Sequence, residues 1–300
     1  MKHLLKLLEL SQQEILDILN LADQLKYERN HNIPHPHLAG KTLGMIFQKS
    51  STRTRVSFEA GMYQLGGNAL FLSSNDLQIG RGEPAQDTAR VLSRYLNGIM
   101  IRTFQQTEVE SLAAYSSIPI INGLTDSFHP CQVLADLMTI REYKKSFQGV
   151  KATYIGDGNN MANSLIVGCL KVGMNITAVI PKEYPPLPEV LNFAKDFENF
   201  RWIQDPREGA VDADVLITDV WASMGQESER EIRAKAFAGY QINDDIMALA
   251  KPDAIIQHCL PAHREEEITA KIFEAHANEI FDEAENRLHA QKAVMVTLMK

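Results

Sequence analysis

The chain has only three cysteines in 300 residues, Cys131, Cys169 and Cys259. They are too few and too scattered for a disulfide framework, and no C-x-x-C pair stands ready to hold zinc. Reduced thiols in a cytoplasmic protein fit this usage better. No apolar run approaches the length of a membrane span, so no membrane partner is expected. Positive charge is also scarce: 30 Lys and Arg stand against 38 Asp and Glu, a net charge of −8. That balance argues against nucleic acid as the main partner, whose usual footprint is a basic face. An anionic ligand would have to be drawn in by local arginines instead. Internal repeats and low-complexity tracts are absent. So is a Walker A loop, because Gln48 takes the position of the glycine before Lys49-Ser50. The N-terminus carries Glu9, Glu14 and Asp17 on an apolar stripe of Leu4, Leu7, Leu8, Ile15 and Leu19. It reads as folded helix, not as a signal or transit peptide, and Ser11 with Glu14 forms a capping-box pattern.

The chain does have apolar residues in quantity, 45% of the total, enough for a sizeable core in two domains. Strand-like runs alternate with helical patterns. The first half offers strands at 42–47, 69–72, 99–102 and 119–121, with helices near 53–65, 84–96 and 107–116. The second half offers strands at 152–155, 176–179, 201–203, 215–218 and 254–257. A helix over 131–145 links the halves, and another spans 287–299. Such alternation predicts an α/β protein of two doubly wound domains, each a parallel sheet flanked by helices. The expected boundaries are 1–145, with the C-terminal helix 287–300 packing back onto it, and 146–286. In such sheets ligands bind beyond the carboxyl ends of the strands.

Every polar cluster falls at such an end. Ser51-Thr52-Arg53-Thr54-Arg55 sits where the first strand runs into a helix. A helix N-terminus presents free N–H groups and partial positive charge, and arginine adds a fork matched to phosphate oxygens. These residues are expected to hold a phosphate; the alternative is a Ser/Thr cap followed by solvated arginines. Arg102 ends another strand. His129-Pro130-Cys131-Gln132 precedes the linking helix and could share the pocket, with Cys131 read as a small buried hydrophobe. The stretch 76–84 reads equally as a connection or a closing lid. Gly156-Asp157-Gly158-Asn159-Asn160-Met161 is a degenerate dinucleotide pattern, since Met161 replaces the third glycine. Its asparagines suit an amino-acid ligand instead. At Asp219 through Gly225 a carboxylate at a strand end could bind an ammonium. In His258-Cys259-Leu260-Pro261, Cys259 could be an activated thiol or thiolate, or a buried inert cysteine. His31, His35 and His37, among prolines, read as an exposed loop.

In combination these motifs resemble the transcarbamoylase, or aspartate/ornithine carbamoyltransferase, family. Ser51 to Arg55 resembles its carbamoyl-phosphate signature, and His129 to Gln132 its second carbamoyl-phosphate motif. Asp219 to Gly225 and His258 to Pro261 resemble the ornithine branch. The likeness runs in order along nearly the whole chain. It implies carbamoyl phosphate on Ser51, Thr52, Arg53, Thr54, Arg102, His129 and Gln132, with Arg287 on the carbamoyl group. It implies that Gln78 reaches a neighbouring subunit's site, hence a homotrimer or a multiple of one. L-Ornithine would sit on Asn160, Asp219, Ser223, Met224, Cys259 and Leu260. The reaction implied is carbamoyl transfer to the ornithine δ-amine, with Cys259, Arg102, His129 and Asp219 catalytic and no metal or other cofactor. Three rivals remain: a carbamoyltransferase acting on putrescine or another amine, an NAD-dependent oxidoreductase using Gly156 and Gly158, and a non-catalytic amino-acid-binding protein.

Overall fold

The computed structural model describes residues 1–74, 77, 82–222 and 227–300. It divides into two units. The first comprises Met1–Met138 and Asn286–Lys300, the second Thr139–Glu285.

The first unit is built on β1 (Thr42–Phe47), β2 (Asn68–Ser73), β3 (Gly98–Arg102) and β4 (Ile120–Leu124). All pair in parallel, in the order β2-β1-β3-β4. Helix α1 (Gln12–Asn30) precedes β1, and between the strands run α2 (Thr52–Gln64), α3 (Ala85–Leu92) and α4 (Gln106–Tyr115). The apolar faces of β1, β3 and β4 explain the sheet: Ile46, Ile99, Ile101 and Ile120 are fully buried against Ala89, Val109 and Leu112. Each such side chain contributes about 1.5–3 kcal/mol by leaving water. The edge strand β2 is largely exposed. The Ser11 capping box forms, with the Glu14 side chain accepting from the Ser11 N–H at 2.8 Å.

The second unit holds β5 (Lys151–Ile155), β6 (Asn175–Val179), β7 (Phe200–Ile203), β8 (Val215–Thr218) and β9 (Ile255–His258), all parallel. Their order is β7-β6-β5-β8-β9. Its helices begin with α5 (Pro130–Lys144), which enters from the first unit. They continue with α6 (Asn160–Lys171), α7 (Pro188–Ala194), α8 (Pro206–Ala210), α9 (Arg230–Ala236), α10 (Asp244–Met247) and α11 (Ala270–Ala275). Helix α12 (Ala277–Met299) begins here and ends in the first unit. α6 is buried almost all round, so it is covered on its outer side as well as against its sheet. Among the described residues no helix is long and apolar enough to cross a membrane.

Both sheets are doubly wound, as the alternation predicts. In each, the chain leaves the first strand toward one side and later returns to the other. The reversal falls between β1 and β3 in one sheet and between β5 and β8 in the other. At such points the connecting loops splay apart and leave a crevice at the strands' carboxyl ends.

Three expectations are corrected. The first residues do not form a helix: Leu4 bridges in parallel to Ile121, and only Leu7–Glu9 makes a short 3-10 turn. Helix α12 starts ten residues before Arg287, because its first turns carry acidic residues that mask the apolar stripe. His35 is buried rather than exposed: its Nδ1 donates to the Ile33 carbonyl at 2.8 Å, and Lys292 Nζ donates to its Nε2 at 2.8 Å.

Candidate active site

In the first unit the crevice between β1 and β3 is where α2 begins. Ser51 caps that helix, its hydroxyl accepting from the Thr54 N–H at 3.2 Å. The two strand ends are tied together, since Gln48 N–H donates to the Arg102 carbonyl at 2.9 Å and Thr103 Oγ1 donates to Gln48 Oε1 at 2.8 Å. Ser51 and Thr52 also border a cleft of about 550 Å³ that reaches Phe71, Ser73 and Ser74.

Arg287, on α12, joins two further elements to this helix start. Its Nη1 donates to Gln132 Oε1 at 2.7 Å and its Nη2 to Thr54 Oγ1 at 3.0 Å. Gln132 is held in turn by its Nε2–H bond to Asp136, 2.8 Å away on the next turn of α5. Thr54, Arg102, His129, Gln132 and Arg287 are all buried. Burial pushes the His129 imidazole well below its ordinary range, and the positive charges of Arg287, Arg102 and Arg53 push the same way. Three guanidiniums around a neutral imidazole and a helix N-terminus suit a small polyanion. The second arginine of the signature lies elsewhere: Arg55 stacks on the Phe71 ring at 3.8 Å and binds Glu59 at 3.0 Å. Cys131 is buried as expected, with its thiol pushed up to about 12, so it stays protonated.

Sequence reasoning passed over Ser57 and Gln291. With its amide turned to suit its neighbours, Gln291 accepts from Arg287 Nη2 and Nε at 3.0 and 3.2 Å and donates to Ser57 Oγ. The signal was present in the sequence, because Gln291 follows Arg287 by one helical turn.

In the second unit the crevice between β5 and β8 is lined by Asn159 and Asp219. Asn159 caps α6, its Oδ1 accepting from Met161 and Ala162, while its Nδ2 donates to Asp219 Oδ2 at 2.9 Å. Asp219 Oδ1 accepts from the Val220 N–H at 2.8 Å and from Cys259 Sγ at 3.1 Å. Cys259 therefore acts as a donor here, its proton lying toward the carboxylate. Asn160 opens α6, and Leu260, directly after Cys259, takes the left-handed backbone at φ 57. Asp157 is bound by Arg233 Nη1 at 2.8 Å, and the same nitrogen donates to the Trp221 carbonyl at 3.1 Å. Burial raises the Asp157 carboxyl to about 6 despite that arginine.

The dinucleotide alternative fails here on steric grounds. A Cβ on Gly158 would lie 2.2 Å from the Tyr184 carbonyl oxygen, so chain already covers the backbone a pyrophosphate would need to approach. Among the described residues, donor atoms of His263, Glu266 and Glu267 lie within 4.8 Å of one another, as a cation site would require. Both carboxylates are already engaged, Glu266 with Arg230 and Glu267 with His258. Gln78, Ser223 and Met224, and most of the expected lid at 76–84, lie outside the described residues.

Comparison with known proteins adds independent findings. Residues 2–142 match the family model "Aspartate/ornithine carbamoyltransferase, carbamoyl-P binding domain". Residues 148–298 match "Aspartate/ornithine carbamoyltransferase, Asp/Orn binding domain". The ornithine carbamoyltransferase of Oceanobacillus iheyensis is 56% identical over 98% of this chain and 93% of its own. That of Archaeoglobus fulgidus is 49% identical over 100% of this chain and 98% of its own. The solved structure of ornithine carbamoyltransferase from Pyrococcus furiosus superposes with a TM-score of 0.94 at 49% identity, covering 99% of this chain and 97% of that one.

Proposed function

The chain belongs to the aspartate/ornithine carbamoyltransferase family, and from that premise we propose that it transfers the carbamoyl group of carbamoyl phosphate to the δ-amine of L-ornithine, giving L-citrulline and phosphate. Residues 1–145 with 287–300 would bind carbamoyl phosphate, and residues 146–286 would bind ornithine. The observation that carries the amine half of this reading is the Asp219–Cys259 pair, oriented by Asn159. A buried carboxylate with a neighbouring thiol suits an ammonium that must be gripped and then deprotonated.

The chemistry sets three requirements. A free alkylammonium has a pKa of about 10.4, judged from lysine, so the amine must lose a proton before it attacks. Asp219 would hold the ammonium, and Asp219 with Cys259 would take up or relay that proton. Negative charge then grows on the carbamoyl oxygen, where Arg102, Thr54 and His129 would donate; Arg287 would orient the carbamoyl group. The departing phosphate would rest on Ser51, Thr52, Arg53, Thr54 and Arg102, with Gln132 beside it. Gln78 of a neighbouring subunit would complete this pocket in a homotrimer or a multiple of one. Asn160, Ser223, Met224 and Leu260 would hold the rest of ornithine. These substrates would place the reaction in arginine metabolism, the three scattered cysteines favour the cytoplasm, and the reading needs no metal or organic cofactor.

The test offers the enzyme carbamoyl phosphate with ornithine, putrescine, N-acetylornithine or aspartate and measures ureido product colorimetrically. Product from ornithine alone is expected. Product from another acceptor would keep the phosphate pocket and overturn the ornithine assignment; no product from any acceptor would overturn the enzyme reading. Arg53→Gly should abolish carbamoyl-phosphate binding in calorimetry.

A further inference from the structure

The segment after β9 carries a polar device that the reaction as proposed does not use. The His258 side chain is 1% exposed, and its Nδ1 accepts the Leu260 N–H at 2.9 Å. An Nδ1 that accepts cannot carry a proton, so the hydrogen of the neutral ring sits on Nε2. Nε2 then donates to Glu267 Oε1 at 2.9 Å, and the same oxygen accepts the His263 N–H at 2.6 Å. The backbone N–H of His258 donates to Glu283 Oε2 at 2.8 Å. Glu267 and Glu283 are 0% and 1% exposed. Two buried carboxylates on one histidine, Glu267 on its ring and Glu283 on its backbone N–H, are a costly way to fill a core, since apolar side chains of the same volume fill it at lower cost. What such an arrangement gains is direction.

The direction falls on one peptide group. Leu260 sits at φ 57, where residues with a Cβ are unfavourable, so something must hold it there. The imidazole grips its N–H. In a trans peptide the carbonyl points opposite to the N–H, so the Cys259 carbonyl is turned away from His258. At its other end Cys259 is gripped by the Sγ contact to Asp219 at 3.1 Å. We infer that His258, oriented by Glu267, is a positioning residue for ornithine: it fixes the Cys259–Leu260 peptide so that the Cys259 carbonyl and thiol face the substrate amine together. This inference rests on the ornithine site proposed above.

The experiment uses the full-length enzyme with His258→Leu, which has no acceptor, and His258→Asn, whose Oδ1 can replace Nδ1 as acceptor. His258→Leu should raise the ornithine KM about tenfold, the effect of one lost buried hydrogen bond. Its carbamoyl-phosphate affinity, measured by calorimetry, should stay unchanged. His258→Asn should recover most of the ornithine KM. Nitrogen-15 NMR of the wild-type histidine rings, assigned by the resonance missing from His258→Asn, should show the neutral Nε2–H form, and this reading stands even if the leucine variant fails to fold. Equal ornithine KM values in the two variants, a parallel loss of carbamoyl-phosphate affinity, or a ring protonated at Nδ1 would overturn the inference. A wild-type enzyme that makes no citrulline would overturn the ornithine reading, whereas an active wild type with unaltered variants would overturn only the role of His258.

Discussion

The imidazole of His129 is defined by charges it does not share. Burial and the three arginines Arg287, Arg102 and Arg53 all disfavour its protonated form. In the unfolded chain this histidine titrates near its ordinary 6.5, while in the fold it stays neutral well below that. Unfolding in that window takes up a proton, so stability is fully present above 6.5 and falls as pH drops through it. His129→Asn should lose less stability between about pH 7.5 and about pH 5 than the parent, as read from urea midpoints. Equal losses would mean the imidazole is already charged in the fold. Cys259 makes the complementary prediction. Its sulfur touches Asp219 rather than any phosphate-binding residue. Cys259→Ala should therefore cut turnover by about 10²-fold or more, the lower range for a lost acid–base group, and leave carbamoyl-phosphate affinity intact by calorimetry. Unchanged turnover would reject its catalytic role.

At the scale of elements, the loop after β8 is anchored from behind by α9. Arg233 reaches Asp157 at the end of β5 and the Trp221 carbonyl, with its guanidinium 5.0 Å from the Tyr184 ring centre. This carboxylate titrates abnormally. Its folded value, raised to about 6 from 3.8, means the native state takes up a proton before the unfolded chain does. Its contribution to stability therefore grows as pH falls from 6 toward 3.8, opposite to the usual aspartate. Ligand binding runs the other way, since a protonated Asp157 no longer pairs with Arg233 and the Trp221 anchor loosens. The ornithine KM should rise as pH falls through about 6. Asp157→Asn should show a raised KM at all pH values and lose that inflection; superimposable KM–pH profiles would refute the anchor. The sequence revealed these elements unevenly. β1 and β8 were legible to the residue, because short apolar runs bounded by turn residues have few other readings. The start of α12 was not, because Glu283 looks like a solvent-facing residue yet lies buried as the acceptor for the His258 N–H. Ser51 to Thr54 and His129 to Gln132 announced themselves as local clusters. The linkage of Arg287 to Thr54 and Gln132 joins residues 233 and 155 positions apart, and no local pattern encodes it.

For the whole molecule the charge balance sharpens the question of assembly. A chain of net charge −8 nevertheless gathers Arg53, Arg102 and Arg287 around His129, and its overall charge would not draw an anion in. The first unit also leaves apolar surface unburied along an edge: Leu70 and Phe71 on β2 are 47% and 40% exposed, and Tyr63 at the end of α2 is 83% exposed. Edge strands of this kind invite a partner. The cleft beside Ser51 and Thr52 opens at the carboxyl end of the same strand, bordered by Phe71, Ser73 and Ser74. If Gln78 of one subunit completes the phosphate pocket of the next, the defect it causes lies in a different subunit from the defect caused by Arg53. Homo-oligomers of Gln78→Ala alone or of Arg53→Gly alone should each be inactive or nearly so, as every site lacks one residue. Dissociated together and reassembled, they should regain activity, because a site with Arg53 from one variant and Gln78 from the other is complete. Random mixing in a closed cyclic trimer should restore about a quarter of the sites. No recovery, in mixtures shown by native mass spectrometry to contain hybrids, would mean that each subunit furnishes its whole phosphate pocket by itself.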